Sequence, residues 1–121
     1  MPPGPVTSFA DVAGTYIRRG LAASTYLLLF ANGTIHTSTS TDLIADRPQT
    51  VFETTFDGTH LSMTTTSSMC EQPDRGGTYE VHVLANHNLQ FVAVSEDTCP
   101  LRSLTLRGHR EVATVEYAWV P

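Results

Sequence analysis

Asn32-Gly33 stands between two extended runs, and no other dipeptide constrains this chain as tightly. A type I′ turn needs positive φ at both central positions, and Asn-Gly supplies them at low cost. Thr25–Ala31 and Thr34–Thr41 are therefore expected to pair as a hairpin. The first run, TYLLLFA, is apolar at odd and even positions alike. Such a strand is covered on both faces, or has one face inside a closed barrel and the other under a loop or a partner. The second run, TIHTSTST, is β-branched enough to suit the pleat but is rich in hydroxyls. Those hydroxyls either meet water or line a cavity with apolar and polar walls.

The same punctuation recurs along the chain. Ala13–Arg19 reads as a strand, and Asp42–Gln49 as a polar loop. Thr50–Phe56 and His60–Thr66 are strands joined by a turn at Asp57-Gly58. Ser67–Gly77 is a loop; Thr78–Leu84 and Leu89–Val94 form a third hairpin around Asn86-His87-Asn88. From Asp97, either a short helical turn begins, with Asp97 or Thr98 as cap and Pro100 in its first turn, or Arg102–Arg107 forms another strand. Gly108 ends this element in both cases, and Glu111–Val120 is the last strand. About eight short strands with tight turns predict an all-β fold, a single small closed up-and-down antiparallel barrel. Met1–Pro5 is rich in Pro and Gly and is expected to be disordered, so residues 1–10 read as a flexible tail and 11–121 as the barrel domain.

Composition removes several function classes. The net charge of −5 and the absence of a basic patch argue against nucleic acid as a partner. All seven basic residues are Arg, and the lack of Lys excludes lysine Schiff-base chemistry, a P-loop lysine and lysine-held pyridoxal phosphate. No apolar run is long enough to span a membrane, and the N-terminus has no signal-peptide pattern, so a cytoplasmic location is expected. In that compartment Cys70 and Cys99 are expected as free thiols, with a disulfide as the alternative. Their spacing offers no metal site, and no cofactor motif is present.

The residues that could carry chemistry are few. Of the five histidines, His60 and His87 lie at turns and should be exposed, while His36 and His82 lie within strands. Glu53 shares a face with Val51 and Thr55, opposite Phe52 and Phe56. It is outside if the Phe face packs the core, and a general acid or base in a dry cavity if the cup lies on its own side. Glu80 and His82 share one face, and Tyr79, Val81 and Val83 the inward one. Tyr16, Phe30, Phe56, Met63, Tyr79, Phe91, Tyr117 and Trp119 can line a ligand pocket or fill a core.

The segment Cys70…Gly77-Thr78-Tyr79-Glu80…Leu89-Gln90-Phe91…Asp97-Thr98-Cys99…Arg102 resembles small bacterial lipocalin-like proteins of the calycin type. Gly14-Thr15-Tyr16 is similar to the opening Gly-x-aromatic of that barrel, with Tyr where lipocalins have Trp. The resemblance implies a late arginine, Arg102 or Arg107, packed on that aromatic, and a barrel that takes a hydrophobic small molecule. The long C-terminal helix of lipocalins is missing. Two functions follow as expectations. One is a cofactor-free cyclase or isomerase of bacterial secondary metabolism, with Glu53 or His36 moving a proton and Tyr26 polarising a carbonyl. The other is a non-catalytic carrier of a hydrophobic small molecule. A protein-interaction module using the Thr-rich face is a third expectation, and the oligomeric state, monomer or homodimer, is left open.

Overall fold

A computed structural model describes residues 2–19, 24–65, 69–107 and 115–121. Its elements in chain order are β1 (Gly4–Pro5), β2 (Gly14–Arg19), β3 (Ser24–Leu29), β4 (Ile35–Ser38), β5 (Thr50–Asp57), β6 (His60–Thr64), β7 (Gly77–Val83), β8 (Leu89–Ala93), α1 (Pro100–Arg107) and β9 (Ala118–Trp119). From β2 to β8 every strand pairs antiparallel with the next, as the tight turns require. The resulting antiparallel sheet curls through 269°, a half-barrel. β9 lies along β2, with Tyr16 opposite Trp119. One bridge, Leu89 to Tyr117, links β8 to the residue that precedes β9.

Alternation decides what is inside. In β7, GTYEVHV, every second residue from Gly77 is buried; β6, HLSMT, buries Leu61 and Met63 alone. Phe52, Leu27, Leu29, Ile35, Tyr79, Val81, Phe91 and Tyr117 join them in one hydrophobic cluster. The Phe face of β5 packs inward, so Glu53 is exposed outside.

The hairpins form where expected, with different turn geometry. Leu29 pairs with Ile35, the Gly33 N–H donates to Phe30 O, and only Gly33 has positive φ, at 99°. This is a three-residue loop ending in a left-handed residue, not a two-residue type I′ turn. The extra residue lets Asn32 Oδ1 accept the Thr34 N–H at 3.0 Å. The second turn is shifted by one residue: Asp57 pairs with His60, leaving Gly58-Thr59 as the loop. At Leu84–Asn88 the first geometry repeats, with His87 at φ 69° in the place of Gly33.

The structure overturns one further expectation, at the N-terminus, and decides two that the residues left open, at 100–107 and on the Thr-rich strand. The N-terminal stretch is part of the fold: Gly4 and Pro5 pair with Val83 and His82, and Val6 and Phe9 are buried. Phe9 meets Phe56 edge to face, ring centroids 5.1 Å apart, so apolar burial ties down a segment whose composition alone reads as loose. Residues 100–107 are helical, with Pro100 as first residue, because burial of Arg102 and Leu106 follows a helical spacing of four. The Thr-rich strand is short, and Thr37 and Ser38 are buried rather than facing water. Thr37 Oγ1 bonds Thr50 Oγ1, and Ser38 Oγ accepts the Ser40 N–H at 3.1 Å. Residues 66–68 and 108–114, which include Gly108, His109 and the start of the expected last strand, lie outside the described residues. Among the described residues no helix is long and apolar enough to cross a membrane.

Candidate functional site

Two clusters gather the residues that chemistry would need. One is an internal polar knot at α1. Cys70 and Cys99 form a disulfide, so the free-thiol expectation fails. The bond holds the loop carrying Asp74 against the start of α1. There Arg102, wholly buried, donates from Nε to Asp97 Oδ2 at 2.9 Å and from Nη2 to Asp97 Oδ1 at 2.6 Å. Its Nη1 and Nη2 also donate to Asp74. Tyr79 Oη donates to Asp97, and Asp74 accepts the backbone N–H groups of Thr65 and Gly76 at 2.7 and 2.9 Å.

The electrostatics follow from this geometry. Burial pushes the Asp74 carboxyl up, but the Arg102 bond and the two backbone N–H groups outweigh it and hold the pKa lowered to about 2. Burial disfavours the Arg102 charge, yet its bonds to Asp97 and Asp74 raise its pKa. Burial, then the Asp97 carboxylate, raises the Tyr79 phenol. The Thr98 hydroxyl also reaches Asp74 Oδ1, at 3.5 Å. Among the described residues no buried side-chain polar atom lacks a partner. Sequence reasoning read Cys70 and Cys99, Asp97 and Tyr79 separately, as thiols or a disulfide, a helix cap and a pocket or core aromatic, and did not single out Asp74. Arg102, one of the two arginines that the resemblance would pack on Tyr16, lies in this ion-pair cluster instead.

The second cluster is an open cleft of about 250 Å³ where the two ends of the curled sheet approach each other. It is lined by Asp11, Val12, Ala13, Tyr16, Val83, His87, Leu89 and Trp119. Among the described residues the approach is spanned by one bridge, at Leu89 and Tyr117, whose N–H and C=O groups exchange bonds of 2.8 Å. Glu116 Oε1 reinforces it by accepting from Asn86 and Asn88 at 3.1 and 3.0 Å. Beyond that bridge the third hairpin and β2 leave a gap, floored by Val83 and Leu89.

Trp119 is 54% exposed yet fixed in place. It meets the ring of Tyr16 in a T-shaped contact at 5.6 Å, and Tyr16 Oη is anchored on Val12 O at 2.8 Å. Burial raises the Tyr16 pKa, which keeps the phenol a hydrogen-bond donor. Gly14 permits the approach: a Cβ there would come within 2.4 Å of the indole Cζ3. An indole held rigidly with more than half its surface free is a ready contact surface.

The predicted site residues divide between three places. Tyr16 and Trp119 line this cleft. Met63, Tyr79, Phe91 and Tyr117 belong to the buried cluster, and Phe56 packs against it. Tyr26, Phe30, His36 and Glu53 lie away from both, toward the outer face. His36 Nδ1 is 2.9 Å from Ile44 O, and its ring meets Phe30 at 4.7 Å; the loop carrying the buried Ile44 thus covers the outer face of β4. On the neighbouring β3 the outward Tyr26 and Leu28 are half-buried, while Leu27 and Leu29 are buried inward. Glu53 shows no hydrogen bond or ion pair to Tyr26 or His36 among the described residues. His60 and His87 are exposed as expected, while Glu80 is shared by His82 at 3.0 Å, His60 at 3.7 Å and the Thr59 hydroxyl at 2.9 Å.

Sequence reasoning missed Asp11, Val12, Val83, His87 and Leu89 as cleft residues. Their approach depends on how the sheet ends meet, which no local pattern encodes. Among the described residues no group of three metal-ligating side chains converges. No family model, curated protein or solved structure matches the chain, so the calycin resemblance rests on the sequence motifs and the curled sheet alone.

Proposed function

We propose that this protein is a non-catalytic binding domain that holds a small molecule, or the head group of a larger one, in the cleft between its sheet ends. The observation that carries this reading is Trp119, immobilised by Gly14 and Tyr16 over an apolar floor while more than half exposed. A volume of about 250 Å³ falls just below the range of sites for drug-sized ligands, which favours a small ligand. The titratable groups also favour a binder. The buried ones are committed to the knot or, for Tyr16 and Tyr117, to backbone carbonyls, and Tyr26, His36 and Glu53 form no acid–base constellation among the described residues. The cyclase or isomerase alternative gains no supporting geometry.

In the same reading, the Leu89–Tyr117 bridge and the β2–β9 ladder are the closing seam of a small barrel of calycin type. A buried disulfide belongs with an oxidising compartment, so the domain is assigned to one, in place of the cytoplasm.

Trp119 is the single tryptophan of the chain, so intrinsic fluorescence reports on the cleft alone. Titration with a panel of small aromatic and branched aliphatic compounds is expected to give a saturable change with at least one of them. Calorimetry should then show that Trp119→Ala loses the binding heat. A panel without any fluorescence response, or a Trp119→Ala variant that binds equally well, would overturn the reading. Chromatography of the same mixtures checks for turnover: an isomeric product, formed by the protein and lost in Glu53→Gln, would restore the catalytic alternative.

A further inference from the structure

We infer that the cleft selects a small organic cation, an alkylated ammonium head group, over a neutral molecule of the same shape. This deepens the binding reading above and rests on it. Asp11 is an exposed carboxylate on the cleft wall, with no hydrogen bond or ion pair among the described residues. Among the described residues no arginine lines the cleft, and the chain has no lysine. Two arginines that could have served are committed elsewhere. Arg18 Nη1 donates to the carbonyls of Leu104 and Thr105 at 3.0 and 2.9 Å, near the C-terminal end of α1, and Arg102 is locked in the knot. Among the described residues the cleft therefore presents the Asp11 carboxylate with no fixed positive charge beside it, its one basic group being the His87 imidazole.

A neutral ligand seated against Val83, Leu89 and Trp119 would strip water from Asp11 and return nothing. A cation turns that cost into an attraction, and indole is the strongest ring partner for one. The rest of the wall decides which cation. Val12, Ala13, Val83 and Leu89 offer side chains without hydrogen-bond acceptors. A bare ammonium would lose bonds to water there, whereas methyl groups on nitrogen meet the apolar wall and spread the charge toward the ring. The net charge of −5 adds a long-range field of the right sign. The small volume sets the size at a trimethylammonium group with little beyond it.

The test compares choline with 3,3-dimethyl-1-butanol, which replaces the quaternary nitrogen by carbon and keeps the shape. The oxidised, full-length protein is titrated with each at pH 8, followed by Trp119 fluorescence and calorimetry. Choline is expected to bind about tenfold tighter or better, in the range set by a partly desolvated cation–π contact. Asp11→Asn should reduce choline binding about fivefold and should not weaken binding of the neutral alcohol, which no longer strips water from a charge. Added salt should weaken choline alone. Asp11 is exposed and unpartnered, so the variant keeps its fold, which its thermal transition checks. Equal binding of the two compounds overturns the cation inference and leaves the binding domain standing. Failure of both compounds also overturns it, and the neutral panel above then decides whether the cleft binds anything.

Discussion

The knot around Arg102 and the cleft around Trp119 are built from similar parts: an aromatic phenol, a carboxylate and a backbone turn. They differ in what is left over. In the knot, one guanidinium satisfies two carboxylates, and the Tyr79 hydroxyl is donated to one of them. In the cleft, Tyr16 is satisfied by Val12 O, but Asp11 has no partner among the described residues and Trp119 stays exposed. Buried polar groups in low dielectric are stabilising only when every bond is made, so the knot is architecture. A rigid aromatic surface and a free charge on an open wall are available for a ligand, so the cleft is the working part.

Breaking the knot should therefore cost stability, and breaking the cleft should cost binding. The largest effect is expected for Arg102→Met, which leaves two buried carboxylates without a cation. Urea unfolding should show a loss of about 3–5 kcal/mol. Trp119→Ala, measured the same way, should change stability far less. The comparison collapses if the two variants are equally destabilised. Next comes the disulfide, whose partners are 29 residues apart. Removing it by Cys70→Ala with Cys99→Ala should cost about 2–5 kcal/mol, because the loop bearing Asp74 is released from α1.

Acid sharpens the contrast. Asp74 has a lower pKa folded than its ordinary value of 3.8, so its stabilisation is fully present above that value. It is lost as pH falls through about 2. A loss on the order of 2 kcal/mol is expected across that window, seen as a falling urea midpoint. Arg102→Met should flatten this dependence; an unchanged acid profile in that variant would remove Arg102 as the cause. Glu80 has the same sign, lowered by its His82 and Thr59 bonds, but it sits at the surface. Glu80→Gln should leave the unfolding midpoint unchanged within error, because water screens exposed pairs.

The smallest measurable effect is expected in the third hairpin. His87 occupies a left-handed position that Gly33 fills in the equivalent first hairpin. His87→Gly should therefore raise stability, by about 0.5–1 kcal/mol. A lower stability would mean that the imidazole makes contacts across the cleft strong enough to outweigh its backbone strain. Gly33→Ala should act in the opposite direction, since its Cβ would approach Thr54 Oγ1 to 2.9 Å at a φ of 99°.

Much of the fold is legible in the residues. The turns at Asn32-Gly33, near Asp57-Gly58 and at Asn86-His87 mark hairpins because the chain reverses within a few residues, and only certain residue types accept the required φ. The alternation in HLSMT and GTYEVHV marks the buried faces for the same local reason. The site was legible only in part. Tyr16 and Trp119 stand out as aromatics, but Glu53, His36 and Tyr26 carry chemistry only in the reading that puts a cup on their side of the strands, and the core packs on the opposite faces. The two readings of Glu53 differ by one step of register, and a strand considered alone carries no mark of which face will be covered.

The sequence by itself therefore determined an antiparallel all-β chain with its strands and reversals placed. It also determined an acidic surface without lysine. Only the tertiary structure decided the rest. It decided that Gly4 and Pro5 join the sheet, that Cys70 meets Cys99, and that Arg102 is buried between Asp74 and Asp97. It also decided that Asp11, His87 and Trp119 share one wall. The reason is range. Turn and strand preferences are set by sterics between adjacent residues, whereas these contacts join segments far apart in the chain.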